Sequence, residues 1–347
     1  MTGRERINAI MNKKPADRLS WTTIVDNATL SKLPDNIKGM SGIDFYRYIG
    51  CDIFLLNCWG MNMDFSSPQL VWSEDTKTNY KYEDGKSIHE LKSSKGTLTT
   101  IYRNGHPIKY PVSSIDDINI YMQIWENAQF IEHDDNQVYD NINSIIGDDG
   151  IVTRFWGPST IPKLLEYDMG VMNFYCLLND YPDEMDALIS TIHKKELEAF
   201  EILAKSPCDV IILCENTSTF YISPDVYRKY NGRHVRDFVD IIHDSGKIAI
   251  IHMCGHVKNL LHEIKDTGLD GIHALTPPPT GDTPFELALD VLGDDISIWT
   301  LTIENTYNDF VKNQKHVELF KEKMRYLFNR IKVIHGQKTK LNINPAE

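Results

Sequence analysis

From about residue 150 the chain alternates short apolar runs with amphipathic stretches, and this alternation restricts the fold more than any other feature. The runs are "GIVTRFWG" (150–157), "CDVIILCEN" (208–216), "KIAIIHMCG" (247–255), "LDGIHAL" (269–275) and "DISIWTL" (295–301). Segments so apolar suit strands buried on both faces. The stretches between them have helical periodicity. Residues 181–206 place Pro182 near a first turn and Met185, Leu188, Ile189 and Ile192 on one face. Residues 223–246 begin with Ser223 as cap and Pro224 and end at Gly246, while 256–268 turn Val257, Leu260, Leu261 and Ile264 inward and end at Gly268. Further helices are expected at 284–293 and 316–333. Strand and helix alternating through short, glycine-ended connections is the pattern of parallel βα units.

The first half is less regular. Thr2 is placed to cap a helix carrying Ile7, Ile10 and Met11, and strands are expected at 18–25 and 52–59. Residues 70–112 alternate polar with apolar and contain the turn pairs Asp84-Gly85 and Asn104-Gly105, which predicts an antiparallel β insertion. The number of βα units favours a (β/α)8 TIM barrel over an open sheet, with residues 1–347 as one domain. No glycine-rich dinucleotide fingerprint follows any strand.

Composition narrows the function classes. The chain is 41% hydrophobic and 24% charged, as ordinary soluble domains are. A formal net charge of −13 argues against nucleic acid as a partner, since phosphate binding needs a basic surface. No apolar run reaches the ~20 residues that span a membrane. The N-terminus is charged from its fourth residue, unlike a secretory signal, and the six cysteines show no disulfide spacing. A reducing, cytoplasmic setting is the expectation.

A βα barrel carries its chemistry at the C-terminal ends of its strands. Those ends hold Asp26 and Asn27; Asn57, Cys58 and Trp59; Arg154 and Trp156; Cys214, Glu215 and Asn216; His252 and Cys254; His273; and Thr300, Thr302 and Glu304. Residues two apart on a strand share a side, so His252 and Cys254 can point the same way. Imidazole and thiolate are preferred zinc ligands, and His273 on the next strand is placed to join them. Glu215 on the preceding strand is a candidate third ligand or general acid; it is equally a salt-bridge partner for Arg154. Trp59, Trp156 and Tyr221 suit the walls of a substrate pocket, with Asn57, Arg154 and Asn216 as its polar groups. His256 is expected to start a helix with its ring in solvent, and His193, His234, His243 and His262 to lie on helices as surface or packing residues. Residues 276–281, "TPPPTG", read as a stiff extended loop.

"CDVIILCENTSTFYISPDVYRKY" and "KIAIIHMCGHVKNLLHEIKDTGLDGIHALTPPPTGD" together resemble the uroporphyrinogen decarboxylase superfamily, a barrel family containing porphyrinogen decarboxylases and zinc- and corrinoid-dependent methyltransferases. The likeness runs roughly over 2–330 and is specific over 206–300. Decarboxylases of the family carry an arginine-rich motif after the first strand and an aspartate after the second; here those regions read "WTTIVDNATLSKLP" and "LLNCWG". The methyltransferase branch carries His-x-Cys-Gly after a strand, and His252, Cys254 and Gly255 match it. The resemblance therefore implies zinc bound by His252 and Cys254, a small methylated substrate or thiol acceptor, and a corrinoid carried by a partner protein. Familiar members use a later cysteine as third ligand, but no cysteine follows Cys254, which leaves His273 or Glu215 for that place. Two other readings stay open: a carboxy-lyase with an altered substrate grip, and a non-catalytic barrel with a degenerate site.

Overall fold

The computed structural model describes residues 1–18, 20–22, 30–31, 35, 37–55, 65–278, 281–293 and 295–299. The helix Gly3–Met11 opens with a capping box, Thr2 Oγ1 accepting from Glu5 N while Glu5 Oε2 accepts from Thr2 N. Ile7, Ala9 and Met11 are buried with Arg6, whose charge is met by Asp17 and Asp52. Ile10 is only half-buried.

Strand β1 is Ile53–Leu55, and β2, Gln69–Val71, pairs antiparallel with β7, Gln129–Ile131. Between them β3 (Lys77–Glu83), β4 (Lys86–Ser93), β5 (Gly96–Arg103) and β6 (His106–Lys109) form a four-stranded antiparallel sheet. The insertion expected over 70–112 is thus this sheet over 77–109, because the strand at 69–71 pairs elsewhere. Its two Xaa-Gly turns have positive φ at both residues, 50° and 71° at Asp84-Gly85 and 52° and 78° at Asn104-Gly105, the geometry that favours these residue types.

The remaining strands are parallel. They are β8 (Gly150–Val152), β9 (Arg154–Trp156), β10 (Val210–Cys214), β11 (Ile248–His252), β12 (Gly271–His273) and β13 (Ser297–Trp299). The expected single strand at 150–157 is divided at Thr153. Its first half pairs with β1 and its second with β10, and Thr153 donates through both N (2.9 Å) and Oγ1 (3.0 Å) to Leu55 O. The succession runs β1, β8/β9, β10, β11, β12, β13.

Alternation sorts the side chains into two cores. Ile211, Leu213, Ala249, Ile251 and Ile272 face outward against helices, notably Pro182–Lys205 and Gly232–Asp244, where Phe200 stacks on Phe238 at 4.1 Å. Each fully buried Leu, Ile or Phe side chain of this kind stabilises by about 1.5–3 kcal/mol. Phe54, Ile151, Phe155, Val210, Ile212, Ile248, Ile250 and Trp299 face the other way and share a second cluster, joined by Ile7 and Met11 of the first helix. Phe54 of β1 stacks on Trp299 of β13 at 4.6 Å, so the two ends of the strand succession meet across this inner cluster. The expected first strand at 18–25 lies mostly outside the described residues. Its described part runs beside β1, Trp21 O accepting from Asp52 N at 2.9 Å. The expected helix at 316–333 lies outside them altogether.

Candidate functional site

Strand parity decides what the strand ends present. Val210, Ile212 and Cys214 share one side of β10, and Ile248, Ile250 and His252 share the matching side of β11. Cys214 is in register with His252, His252 with His273, and His273 with Trp299. His252 and His273 are therefore inward residues on adjacent strands. Their Nδ1 atoms are 2.9 Å apart, so one ring donates and the other accepts. The His273 ring also lies 6.3 Å from that of Phe54. Burial pushes His252 down to about 4, and burial plus the neighbouring His252 pushes His273 down to about 3. Both imidazoles are neutral at pH 7, the form that ligates metals.

Cys254 lies two residues beyond the end of β11. Its thiol donates to Asn216 Oδ1 at 3.8 Å, and the Cys214 thiol donates to the same oxygen at 3.7 Å. Asn216 adopts a positive φ of 48°, which folds the chain back at the end of β10; the amides of Glu215 and Asn216 both donate to His252 O. Gly255 explains itself by space. A Cβ there would stand 2.4 Å from Thr217 O and 2.6 Å from Ser218 Cβ. Gly255→Ala is expected to push Cys254 away from Asn216 and destabilise the fold by about 1–3 kcal/mol, read from thermal melting beside thiol-alkylation rates.

The other expected site residues separate into two groups. Asn216 and Tyr221 gather with Cys254: the Tyr221 hydroxyl donates to Asn216 O and lies 3.4 Å from Glu166 Oε1. Arg154 and Trp156 do not join them. They flank the inward Phe155 and so face outward, where Arg154 binds Asp135 and Ser67 O and lies 4.0 Å over the Phe65 ring, and Trp156 packs on Phe130. Arg154 is thus no partner of Glu215 either. Glu215 follows the inward Cys214 and is fully buried, taking bonds from Ser159 Oγ, Thr217 Oγ1 and Asn231 Nδ2. Burial pushes it up to about 7. Asn57 and Trp59 lie outside the described residues. Away from the site, His193 and His234 lie on helices and are buried against each other.

The donor chemistry of His252, His273 and Cys254 suits zinc, although among the described residues no three His, Cys, Asp or Glu side chains stand as a ready metal cage. No helix among the described residues is long and apolar enough to cross a membrane.

Residues 156–277 match the family model "Uroporphyrinogen decarboxylase (URO-D)". The chain resembles the uroporphyrinogen decarboxylase superfamily. The URO-D match covers the stretch that holds Asn216, Tyr221, His252, Cys254 and His273. Among solved structures, a methyltransferase from Methanosarcina mazei superposes with a TM-score of 0.50 at 11% identity, covering 86% of this chain and 82% of that one. That likeness concerns the fold, a mixed α/β architecture with a parallel sheet. Comparison with curated proteins finds no sequence match.

Glu166 is the site residue that sequence reasoning missed. It lies in the π-helical turn Leu164–Asp168, between β9 and β10 in sequence, and no strand end announces it. Such turns are frequent at functional sites but leave no periodic mark in the sequence.

Proposed function

We propose that this URO-D-like chain is a zinc-dependent methyltransferase, moving a methyl group between a small methylated substrate or thiol acceptor and a corrinoid on a partner protein. The observation that carries the reading is the pair of inward, neutral imidazoles on adjacent strands, with Cys254 just past the tip of one of them. The proposal includes closure of the strand succession into a single (β/α)8 barrel, supported by the Phe54–Trp299 contact. His252, His273 and Cys254 would hold the metal. A zinc ion held there would supply Lewis acidity toward a departing heteroatom or would keep an acceptor thiol deprotonated.

The chain's own residues have separate tasks. Burial keeps His252 and His273 unprotonated and ready to ligate. Asn216 orients the Cys254 thiol, and Tyr221 fixes Asn216 through its carbonyl. Glu215 acts as a positioning residue: its bonds to Ser159, Thr217 and Asn231 pin the turn that carries Asn216. Asn57 and Trp59 remain candidates for the substrate wall. The partner would dock over the strand ends, where this small site opens.

Elemental analysis tests the reading. Zinc-reconstituted protein should hold about one zinc per chain, and His252→Ala and Cys254→Ala should each lose it. Methylation of free reduced cobalamin by N-, O- and S-methyl compounds, followed by absorbance, should need the metal. Protein that stays metal-free after reconstitution would end the proposal. Porphyrinogen turnover by that metal-free protein would replace it with a carboxy-lyase.

A further inference from the structure

Glu166 poses an electrostatic question. It is half-buried, and its neighbours are the hydroxyls of Tyr221 and Tyr167 and the side chain of Asn216. Burial raises its pKa, and these neutral groups only partly offset that. Among the described residues no Lys, Arg or His forms an ion pair with it; Lys163, three residues earlier, is drawn instead to Asp168 at 3.4 Å. The other charges that reach this corner are acidic: Glu166 raises the pKa of Glu215, and Tyr221 feels Glu166, Cys254 and Glu215. A partly desolvated carboxylate without a counter-charge costs free energy, which an incoming cation would relieve. The nearby rings add to this, because an aromatic face attracts a cation. Tyr167 is exposed, at 47%, and Tyr221 is half-buried.

We propose that Glu166, Tyr167 and Tyr221 form a subsite for the cationic head of a methylated ammonium compound, adjoining Asn216 and Cys254. The proposal rests on the methyl-transfer reading for the role of that ligand, which makes the ammonium methyl the group delivered beside Cys254. A neutral ether or thioether gains nothing from the carboxylate, so the subsite selects a cationic methyl-bearing centre over a neutral one.

Choline and 3,3-dimethylbutan-1-ol are isosteres that differ in charge, and calorimetric titration of the full chain with each tests the subsite. Choline should bind at least about tenfold more tightly than the alcohol. Glu166→Gln keeps the size and hydrogen bonds of the side chain and should abolish that ratio without changing the melting temperature or zinc content. Tyr167→Leu, at an exposed position, should reduce it by a smaller factor. Equal binding of the two probes, no binding of either, or a ratio unchanged in Glu166→Gln would overturn the subsite. Binding of choline needs neither metal nor corrinoid. Zinc-loaded, methyl-transferring protein that treats the probes alike would therefore sink this inference alone, whereas metal-free protein that still prefers choline would sink the methyl-transfer reading alone.

Discussion

Arg154→Met should lower stability by about 3–5 kcal/mol, because it strands a buried carboxylate. The Arg154 side chain is 2% exposed and Asp135 6%, and the guanidinium reaches Asp135 Oδ1 at 2.9 Å and Oδ2 at 3.2 Å while also donating to Ser67 O. Removing it leaves Asp135 charged and without its main partner, apart from the Ser67 amide at 2.9 Å. In a chain of this size the melting temperature should fall by about 4–7 °C. Arg154→Lys should recover only part of the loss, since an ammonium cannot bridge both carboxylate oxygens and a carbonyl. Pairing Arg154→Met with Asp135→Leu should recover more, by removing both charges. An unchanged melting temperature with weakened substrate binding would return Arg154 to the ligand pocket.

The second large effect concerns acid. His193 and His234 stack face to face at 3.7 Å and 8° between the helices Pro182–Lys205 and Gly232–Asp244. Both Nδ1 atoms are buried without a partner, and only His193 finds a carboxylate, Asp237 at 2.7 Å. Burial, then the proximity of His193, pushes His234 down to about 2, and burial also lowers His193. The folded protein thus binds fewer protons here than the unfolded chain. The pair's contribution is complete above the unfolded histidine pKa of ~6.5 and is lost as pH falls below it. Between pH 6.5 and 4.5 His234 alone should cost about 2–3 kcal/mol. Glu196, fully buried and pushed up to about 8, works in the opposite sense, so the parent's own curve mixes the two. The difference between parent and His234→Phe isolates His234. In denaturant titrations at several pH values, the variant should lose its acid sensitivity by that amount. Parallel curves for the two proteins would show that the stacked rings do not govern it.

The sequence was legible where one physical signal dominated. Ser223 caps its helix, Gly246 and Gly268 take positive φ at helix ends, and Met185, Leu188, Ile189 and Ile192 are buried as their spacing requires. Alternation, read for His252 and Cys254, fixes which residues of one strand share a side; that His273 stands beside His252 depends on the register between β11 and β12. Arg154 and Trp156, expected among the pocket residues, flank the inward Phe155 and so face the other way, since strand-end position says nothing about facing. The division at Thr153 had no local mark, since which neighbour a strand pairs with is decided by distant segments. Glu166 was invisible because a π turn shifts helical phase without changing composition. The thiol of Cys214, read only as a strand-end residue, meets Cys254 through an asparagine side chain, a meeting that depends on the backward turn at Asn216.

The contact between Phe54 and Trp299 carries a practical consequence. The indole Nε1 of Trp299 is buried without a hydrogen-bond partner, and its ring rests on one that lies near His273. Indole emission depends on the polarity and quenchers around the ring, so this tryptophan is a built-in optical gauge, placed where a change at the imidazoles or a parting of the seam alters its surroundings first.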